Sequence, residues 1–168
     1  MRRCGRLGEN PIAIAMSPNE SIQTTFYNSK YEHGVDDKRR VQIPAKWKPG
    51  NAETELTLIA WPGPTGEKCL MVLPPDVWAD LVGKLKAMPF SDPNAEALRR
   101  ILGRDSDRVT LDKAGRICLP EELAKAAGID KQALFIGLVD RFQIWSPDRY
   151  SRVAPADDIL APTAFKLV

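Results

Sequence analysis

The chain has 168 residues, a length that suits one ordinary domain or two small ones and excludes a large multidomain enzyme. With 43% apolar and 27% charged residues, it can form a hydrophobic core and does not have the composition of a disordered protein. The 24 Lys and Arg residues against 22 Asp and Glu leave a net charge of +2, so a nucleic-acid site would have to be a local cluster of cations.

The cysteines and the apolar stretches indicate the cellular location of the protein. Cys4, Cys69 and Cys118 are an odd number without a Cys-x-x-Cys pair, which argues against a disulfide scaffold and a cysteine-based zinc site. The longest stretch without a charge, residues 56–66, contains two prolines and is too short to cross a membrane. Residues 12–16 are too short an apolar run for a secretory signal. We therefore expect a soluble, cytoplasmic protein with no metal and no cofactor.

In chain order, the first predicted unit contains a hairpin whose strands cover residues 56–61 and 69–73. An apolar stripe at helical spacing then predicts a helix over residues 75–88, which a proline ends. Ser91-Asp92-Pro93 supplies a cap and a first-turn proline for a second helix, and we expect Gly103 to end it.

The second half predicts a short helix over residues 120–128, with proline and acidic residues at its start and glycine at its end. Two strands follow at residues 133–139 and 142–145. The first 25 residues and the tail after Val153 show no sustained periodicity, and we expect both to be poorly ordered or dependent on a partner.

An internal repeat connects these two halves. Residues 35–44, VDDKRRVQIP, are matched 76 residues later by residues 111–120, LDKAGRICLP. The sequence thus predicts one small unit of strand, turn, strand, short helix and hairpin that is present twice. The predicted divisions are an N-terminal extension (1–25), a first repeat (26–79), connecting helices (80–104), a second repeat (105–150) and a C-terminal tail (151–168).

The Asp-x-x-x-Arg element at the centre of each copy predicts a tight reversal of the backbone. The carboxylates of Asp36 and Asp112 can accept hydrogen bonds from the N–H groups that follow them, and Gly115 permits the positive φ that a tight reversal often needs.

Alternation along the strand after each turn predicts which side chains face outward. Arg40 and Gln42 share one face in the first copy, and Arg116 and Cys118 share it in the second. The aliphatic residues between and after them face the other way.

Two interpretations of these arginines remain open. Residues 36–48 carry five cations against two anions, and a β-ribbon with an arginine face can enter the major groove, where a guanidinium contacts guanine O6 and N7. Alternatively, Arg40 with Asp36 and Arg116 with Asp112 are ion pairs that only stabilise the turns, since surface ion pairs are common and weak.

Residues 27–47, YNSKYEHGVDDKRRVQIPAKW, resemble the opening of MraZ, a bacterial regulator of the division and cell wall gene cluster. The second Asp-x-x-Gly-Arg, at residues 112–116, falls where that family has its second such motif. The resemblance covers residues 26–150. It implies a mixed α+β, mainly β fold in which two AbrB-like swapped-hairpin repeats form a barrel as an intrachain pseudo-dimer, with connecting helices.

The resemblance also implies a function. Members assemble into a homo-oligomeric ring on the nucleoid, bind short direct repeats of double-stranded DNA in their own promoter, and usually repress their own operon. The partners expected are therefore DNA and further copies of the chain, with no membrane and no small-molecule substrate. The resemblance places the DNA contact on the two loops, at Lys38, Arg39, Arg40, Lys113 and Arg116, with Asp36, Asp112 and Gly115 shaping the turns.

The chain departs from the family at two points. Arg39 stands where the family has glycine, and a non-glycine residue at positive φ costs about 1 kcal/mol. We therefore expect that turn to take another form, or Arg39 to contact a phosphate. The family usually begins near Tyr27, so the upstream residues are an extension, the result of a start nearer Met16, or a segment that alters ring packing.

Because Arg116 has less basic surroundings in the sequence, we expect it to contribute less to DNA binding than Arg40.

No residues of the chain form a catalytic set. His33 is the only histidine, and the two strand cysteines and four tryptophans are expected to be structural. We therefore predict a DNA-binding regulator and not an enzyme. The alternative is an antitoxin-like protein-interaction module of the same fold, which the duplication disfavours.

Overall fold

The computed structural model describes residues 25–168. Its strands are β1 (Lys30–Gly34), β2 (Arg40–Gln42), β3 (Leu56–Pro62), β4 (Lys68–Leu73), β5 (Ser106–Val109), β6 (Arg116–Cys118), β7 (Gln132–Gly137) and β8 (Phe142–Trp145). Its helices are α1 (Pro75–Ala87), α2 (Pro93–Arg104), α3 (Glu121–Ala127) and α4 (Pro147–Ala164), with 3-10 turns at Ala45–Trp47 and Phe165–Leu167. The fold is mixed α+β with a mainly sheet centre. The expectation for residues 1–24 lies outside the described residues.

The two copies of the repeat exchange strands. The six-stranded antiparallel sheet has the order β1-β7-β8-β4-β3-β5, so the first strand of each copy pairs with the hairpin of the other copy. His33 lies opposite Ala133, and Val109 lies opposite Leu56. Strands β2 and β6 pair with each other in a separate two-stranded sheet, which we call the ribbon. The two sequence copies therefore interleave in one structural unit.

The strand register is symmetric about the middle of this unit. Val41 lies opposite Ile117 in the ribbon, and Met71 lies opposite Gln143 where β4 meets β8. Each pair joins corresponding positions of the two copies. A local twofold relationship therefore passes through the centre of the ribbon and the centre of the larger sheet.

The main core lies between the ribbon and the inner face of the six-stranded sheet. Trp47 is 1% exposed, and its ring centroid lies 5.1–6.2 Å from those of four other aromatic residues. The inward residues of the ribbon are buried against the same cluster: Val41, Ile43, Ile117 and Leu119. Burial of this apolar surface fixes the ribbon against the sheet.

Helices cover the outer face of the six-stranded sheet. The α1 and α2 helices pack over β3 and β4, while α4 packs through Val153 against Trp145. Asp92 caps α2 as predicted, since its carboxylate accepts a hydrogen bond from the N–H of Asn94 at 2.8 Å. No helix within residues 25–168 combines the length and apolar content needed to cross a bilayer.

The tail after Val153 is helical and not irregular, while its dependence on a partner stays a prediction. Helix α4 continues to Ala164 although Pro155 and Pro162 lie inside it. Proline removes one helical hydrogen bond, and the tail shows no sustained periodicity, so the sequence did not predict a helix there. The packing of Val153 and Tyr150 against the sheet holds the first half of α4 in place, and the helical path continues beyond it.

Candidate nucleic-acid interface

The two Asp-x-x-x-Arg turns have the same hydrogen-bond pattern. Asp36 Oδ1 accepts from the backbone N–H groups of Lys38 and Arg40 at 2.9 and 2.8 Å, and Asp36 Oδ2 accepts from Arg40 Nε at 2.7 Å. The second turn repeats these three bonds through Asp112, at 2.9, 3.0 and 2.9 Å. The ion pairs considered in the sequence are thus both formed. Each of them also holds a guanidinium in a defined direction.

Hydrogen bonds lower the pKa of both turn aspartates. The backbone N–H of Arg40 and then its side chain hold the pKa of Asp36 below the ordinary value of 3.8. The backbone N–H and side chain of Arg116 do the same for the pKa of Asp112. Each carboxylate is therefore a permanent anchor for its arginine at neutral pH.

Arg39 adopts the left-handed backbone conformation that Gly115 adopts at the corresponding position of the second turn. Its φ is +58°, beside +78° for Gly115. The backbone N–H of each residue donates to the carbonyl of the turn aspartate at 2.9 Å. The first turn does not take another form, so that expectation is wrong. Arg39 Nε donates to the Leu119 carbonyl at 3.1 Å, a bond that helps to hold the strained residue.

The outer face of the ribbon carries both turn arginines. Arg40 lies opposite Cys118, and Gln42 lies opposite Arg116, so all four side chains share one face. The side chains of Arg40 and Arg116 are 35% and 33% exposed. The predicted alternation of inward and outward residues is confirmed. The sequence did not reveal that the two strands pair directly, which brings both arginines onto a single surface.

Each copy also supports the turn of the other copy. Gln42 Nε2 donates to the carbonyls of Ala114 and Gly115 at 3.2 and 3.0 Å. Cys118 Sγ, at the corresponding position of the second copy, donates to the Lys38 carbonyl at 3.3 Å. The two turns are therefore held from both sides and form one rigid edge.

The surroundings of the two turns differ in charge. Lys48 lies against Gly115, where a Cβ would come within 2.5 Å of its Cε atom. At the first turn, the hydrogen bond from Lys125 is the main cause of a lowered pKa at Glu121, and the charge of Arg39 contributes to the same effect. Lys48 follows the first turn in the sequence, but its side chain contacts the second turn in the structure. The difference in nearby charge that underlay the smaller contribution expected of Arg116 is therefore reduced.

The other candidate residues lie away from the outer face of the ribbon or on its edges. Lys38 and Lys113 are exposed at the two turns. Cys69 is fully buried, and burial raises the pKa of its thiol to about 12. His33 is half-buried in β1, with its ring centroid 5.6 Å from that of Phe135. Among the described residues, no group of three or more His, Cys, Asp and Glu side chains is placed to hold a metal ion.

The fold and the site define a class of protein: a mixed α+β protein, mainly sheet, in which two paired strands present two arginine-bearing turns on one ribbon. A family model described as "MraZ protein, putative antitoxin-like" matches residues 104–159.

Relatives that match most of the chain carry the same family name. A protein of a Roseiflexus species named "Transcriptional regulator MraZ" is 34% identical over 79% of this chain and 90% of its own length. Proteins of the same name from Herpetosiphon aurantiacus and Desulfitobacterium hafniense are 36% and 37% identical, over 76% and 85% of this chain and 86% and 97% of their own lengths. The chain belongs to the MraZ family, a family of transcriptional regulators and not of enzymes.

Proposed function

We propose that this protein is a DNA-binding transcriptional regulator that contacts double-stranded DNA through the outer face of the ribbon. One observation carries the proposal. Arg40 and Arg116 share that face, each is about one-third exposed, and each is oriented by a carboxylate of its own turn. A guanidinium that is held in direction before binding loses less freedom when it contacts a base.

The dimensions of the ribbon suit the major groove. Strand geometry separates the Cα atoms of Arg40 and Arg116 by about 8 Å. This span fits within a groove about 12 Å wide. Since Asp36 bonds Nε of Arg40, the terminal nitrogens can pair with guanine O6 and N7. Lys38, Arg39 and Lys113 flank the two arginines and would contact phosphates, while the aspartates and Gly115 shape the turns.

The net charge of the chain argues for binding as an assembly. With a charge of only +2, one chain has a small nonspecific attraction to DNA. Several chains that engage repeated boxes together would bind far more tightly, because the second contact is made at high effective concentration. We therefore propose a homo-oligomer, in the form of a ring, that binds direct repeats in its own promoter. In this proposal it works in the cytoplasm on the nucleoid and represses the division and cell wall cluster.

The pairing of strands between the two copies supports a more specific assignment of the fold than mixed α+β. Each copy contributes its first strand to the hairpin of the other, and the second strands pair across the local twofold. We assign this arrangement to the AbrB-like swapped-hairpin type, as an intrachain pseudo-dimer. In this type the two turns of each unit act as one DNA-binding edge.

A selection of bound duplexes from a random pool tests the proposal. The selected duplex is then measured by mobility shift with the full chain, with Arg40→Ala, and with Arg100→Ala as a control of equal charge change on the exposed face of α2. We expect Arg40→Ala to abolish specific retention, Arg100→Ala to retain it, and light scattering to give the same assembly for all three. Undiminished specific retention by Arg40→Ala would overturn the proposal.

A second candidate function is an antitoxin-like protein-interaction module. The family model carries that description, and the end of α4 exposes Ile159 and Leu160, which are 78% and 59% accessible. In this case a small protein would copurify with the chain, and it would no longer copurify with the Leu160→Asp variant. DNA selection that yields no common sequence, together with such a partner, would favour this candidate.

A further inference from the structure

We infer that Lys48, a residue of the first copy, is a further phosphate-contacting cation of the second turn, in addition to Lys113. This inference rests on the proposed function, because it assigns a further residue to the same DNA interface. Its starting point is a contact between the copies. A Cβ at residue 115 would lie 2.5 Å from Lys48 Cε and 3.1 Å from Gln42 Nε2, so both side chains occupy space that only glycine leaves open.

The backbone at Lys48 is firmly positioned. Trp47, its neighbour, is 1% exposed and packs edge-on against Tyr31 with a ring centroid distance of 5.3 Å. Lys48 follows directly as the C-cap of the 3-10 turn and is half-buried. The outer end of the Lys48 side chain, its Cε and its ammonium, therefore lies directly beside Gly115 in the second turn.

The two turns obtain their extra cation by different routes. The extra cation of the first turn is Arg39, which is itself a residue of that turn and corresponds to Gly115 in the second turn. Lys48 crosses from the other copy and places a positive charge beside that glycine. Besides Lys38 and Lys113, each turn thus has one further cation near its base-facing arginine.

The charge of Lys48 is available for a ligand. Within residues 25–168, no ion pair joins the Lys48 ammonium to a carboxylate. A compact ammonium at the rim of a base-reading edge suits a phosphate oxygen, which it binds as a point charge.

The salt dependence of binding tests this assignment. The probe is a duplex that the full chain selects from a random pool, and binding is measured over a series of KCl concentrations. Lys48→Met keeps the aliphatic packing and removes the charge, Lys48→Arg restores the charge, and Lys84→Met removes a charge from the exposed face of α1. We expect the slope of log K against log[KCl] to fall in magnitude by about 0.9 per engaged chain for Lys48→Met only.

The outcomes separate the two proposals. A wild-type slope in Lys48→Met overturns the assignment of Lys48, even when the full chain binds the duplex. An equal loss of slope in Lys84→Met overturns it as well, because the effect would then be that of net charge. Failure of the wild-type chain to select any duplex overturns the proposed function itself. Circular dichroism of each variant checks that the fold is retained.

Discussion

Val41 and Ile117, corresponding residues of the two copies, lie opposite each other at the centre of the ribbon and are both buried beneath it. Their pairing places the arginine that precedes each of them on opposite sides of a local twofold axis. The inward aliphatic residues fix the ribbon to the core, and the outward arginines are thereby presented as a matched pair. The core and the proposed DNA surface are two faces of the same pair of strands.

The first prediction concerns the relative importance of the two arginines. Since Arg40 and Arg116 have the same bonds and similar exposure, and Lys48 lies beside the second turn, we expect Arg116→Ala to weaken specific binding about as strongly as Arg40→Ala. Each lost bidentate base contact costs about 1–3 kcal/mol per engaged turn. Fluorescence anisotropy with the selected duplex measures both. Wild-type affinity in Arg116→Ala would show that only the first turn reads DNA.

The second prediction concerns the strained turn residue. Arg39→Ala keeps the positive φ and loses the bond to the Leu119 carbonyl, whereas Arg39→Gly loses the bond and relieves the strain. We expect Arg39→Gly to be more stable than Arg39→Ala by about 1 kcal/mol. Urea denaturation of the two variants measures the difference in free energy of unfolding. Equal stabilities would mean that the turn relaxes in the alanine variant.

The third prediction concerns the turn aspartates. A carboxyl group with a lowered folded pKa stabilises the protein above its unfolded pKa, and this contribution is lost as the pH falls through the folded pKa. We expect both turns to remain intact down to about pH 4 and to open only below it. Carbon-detected NMR titration of Asp36 and Asp112 should give apparent pKa values below 3.8.

A single variant separates the causes of this pKa shift. Arg40→Met removes the guanidinium but keeps the backbone N–H groups, which are the larger cause at Asp36. We therefore expect the pKa of Asp36 to rise in this variant and yet to stay below 3.8. A return to the ordinary value would show that the guanidinium alone is responsible.

The fourth prediction concerns thiol reactivity. In a Cys4→Ser background, Cys118 should react readily with a disulfide reagent, and Cys69 should react only after unfolding, because it is buried and its thiol pKa is raised to about 12. A bulky adduct on Cys118 would cover the position opposite Arg40 and lower DNA affinity at least about tenfold, the equivalent of 1.4 kcal/mol. Cys118→Ser should bind DNA normally and be unaffected by the reagent. DNA binding that is unchanged by complete modification of Cys118 would contradict the proposed surface.

Local chemistry explains which features could be predicted. The bonds from Asp112 to its turn depend only on residues within four positions, as do the positive φ of Gly115 and the cap at Asp92. Alternation along a strand likewise depends on backbone geometry, so the outward direction of Arg40 was predictable. Hydrogen-bonding capacity and steric freedom are properties of short segments, and they determine such features wherever the segment folds.

Nonlocal packing decided the rest. The pairing of the two second strands, the position of Lys48 over Gly115 and the persistence of α4 beyond Val153 all depend on contacts between segments far apart in the chain. The backbone of Arg39 is held at its strained φ by Leu119, 80 residues away, whose N–H donates to the Arg39 carbonyl at 2.8 Å. The amino-acid sequence alone determined two arginine-bearing turns and their outward side chains. Tertiary structure decided that the turns share one surface, because burial of the aliphatic side of each strand brings the two strands together.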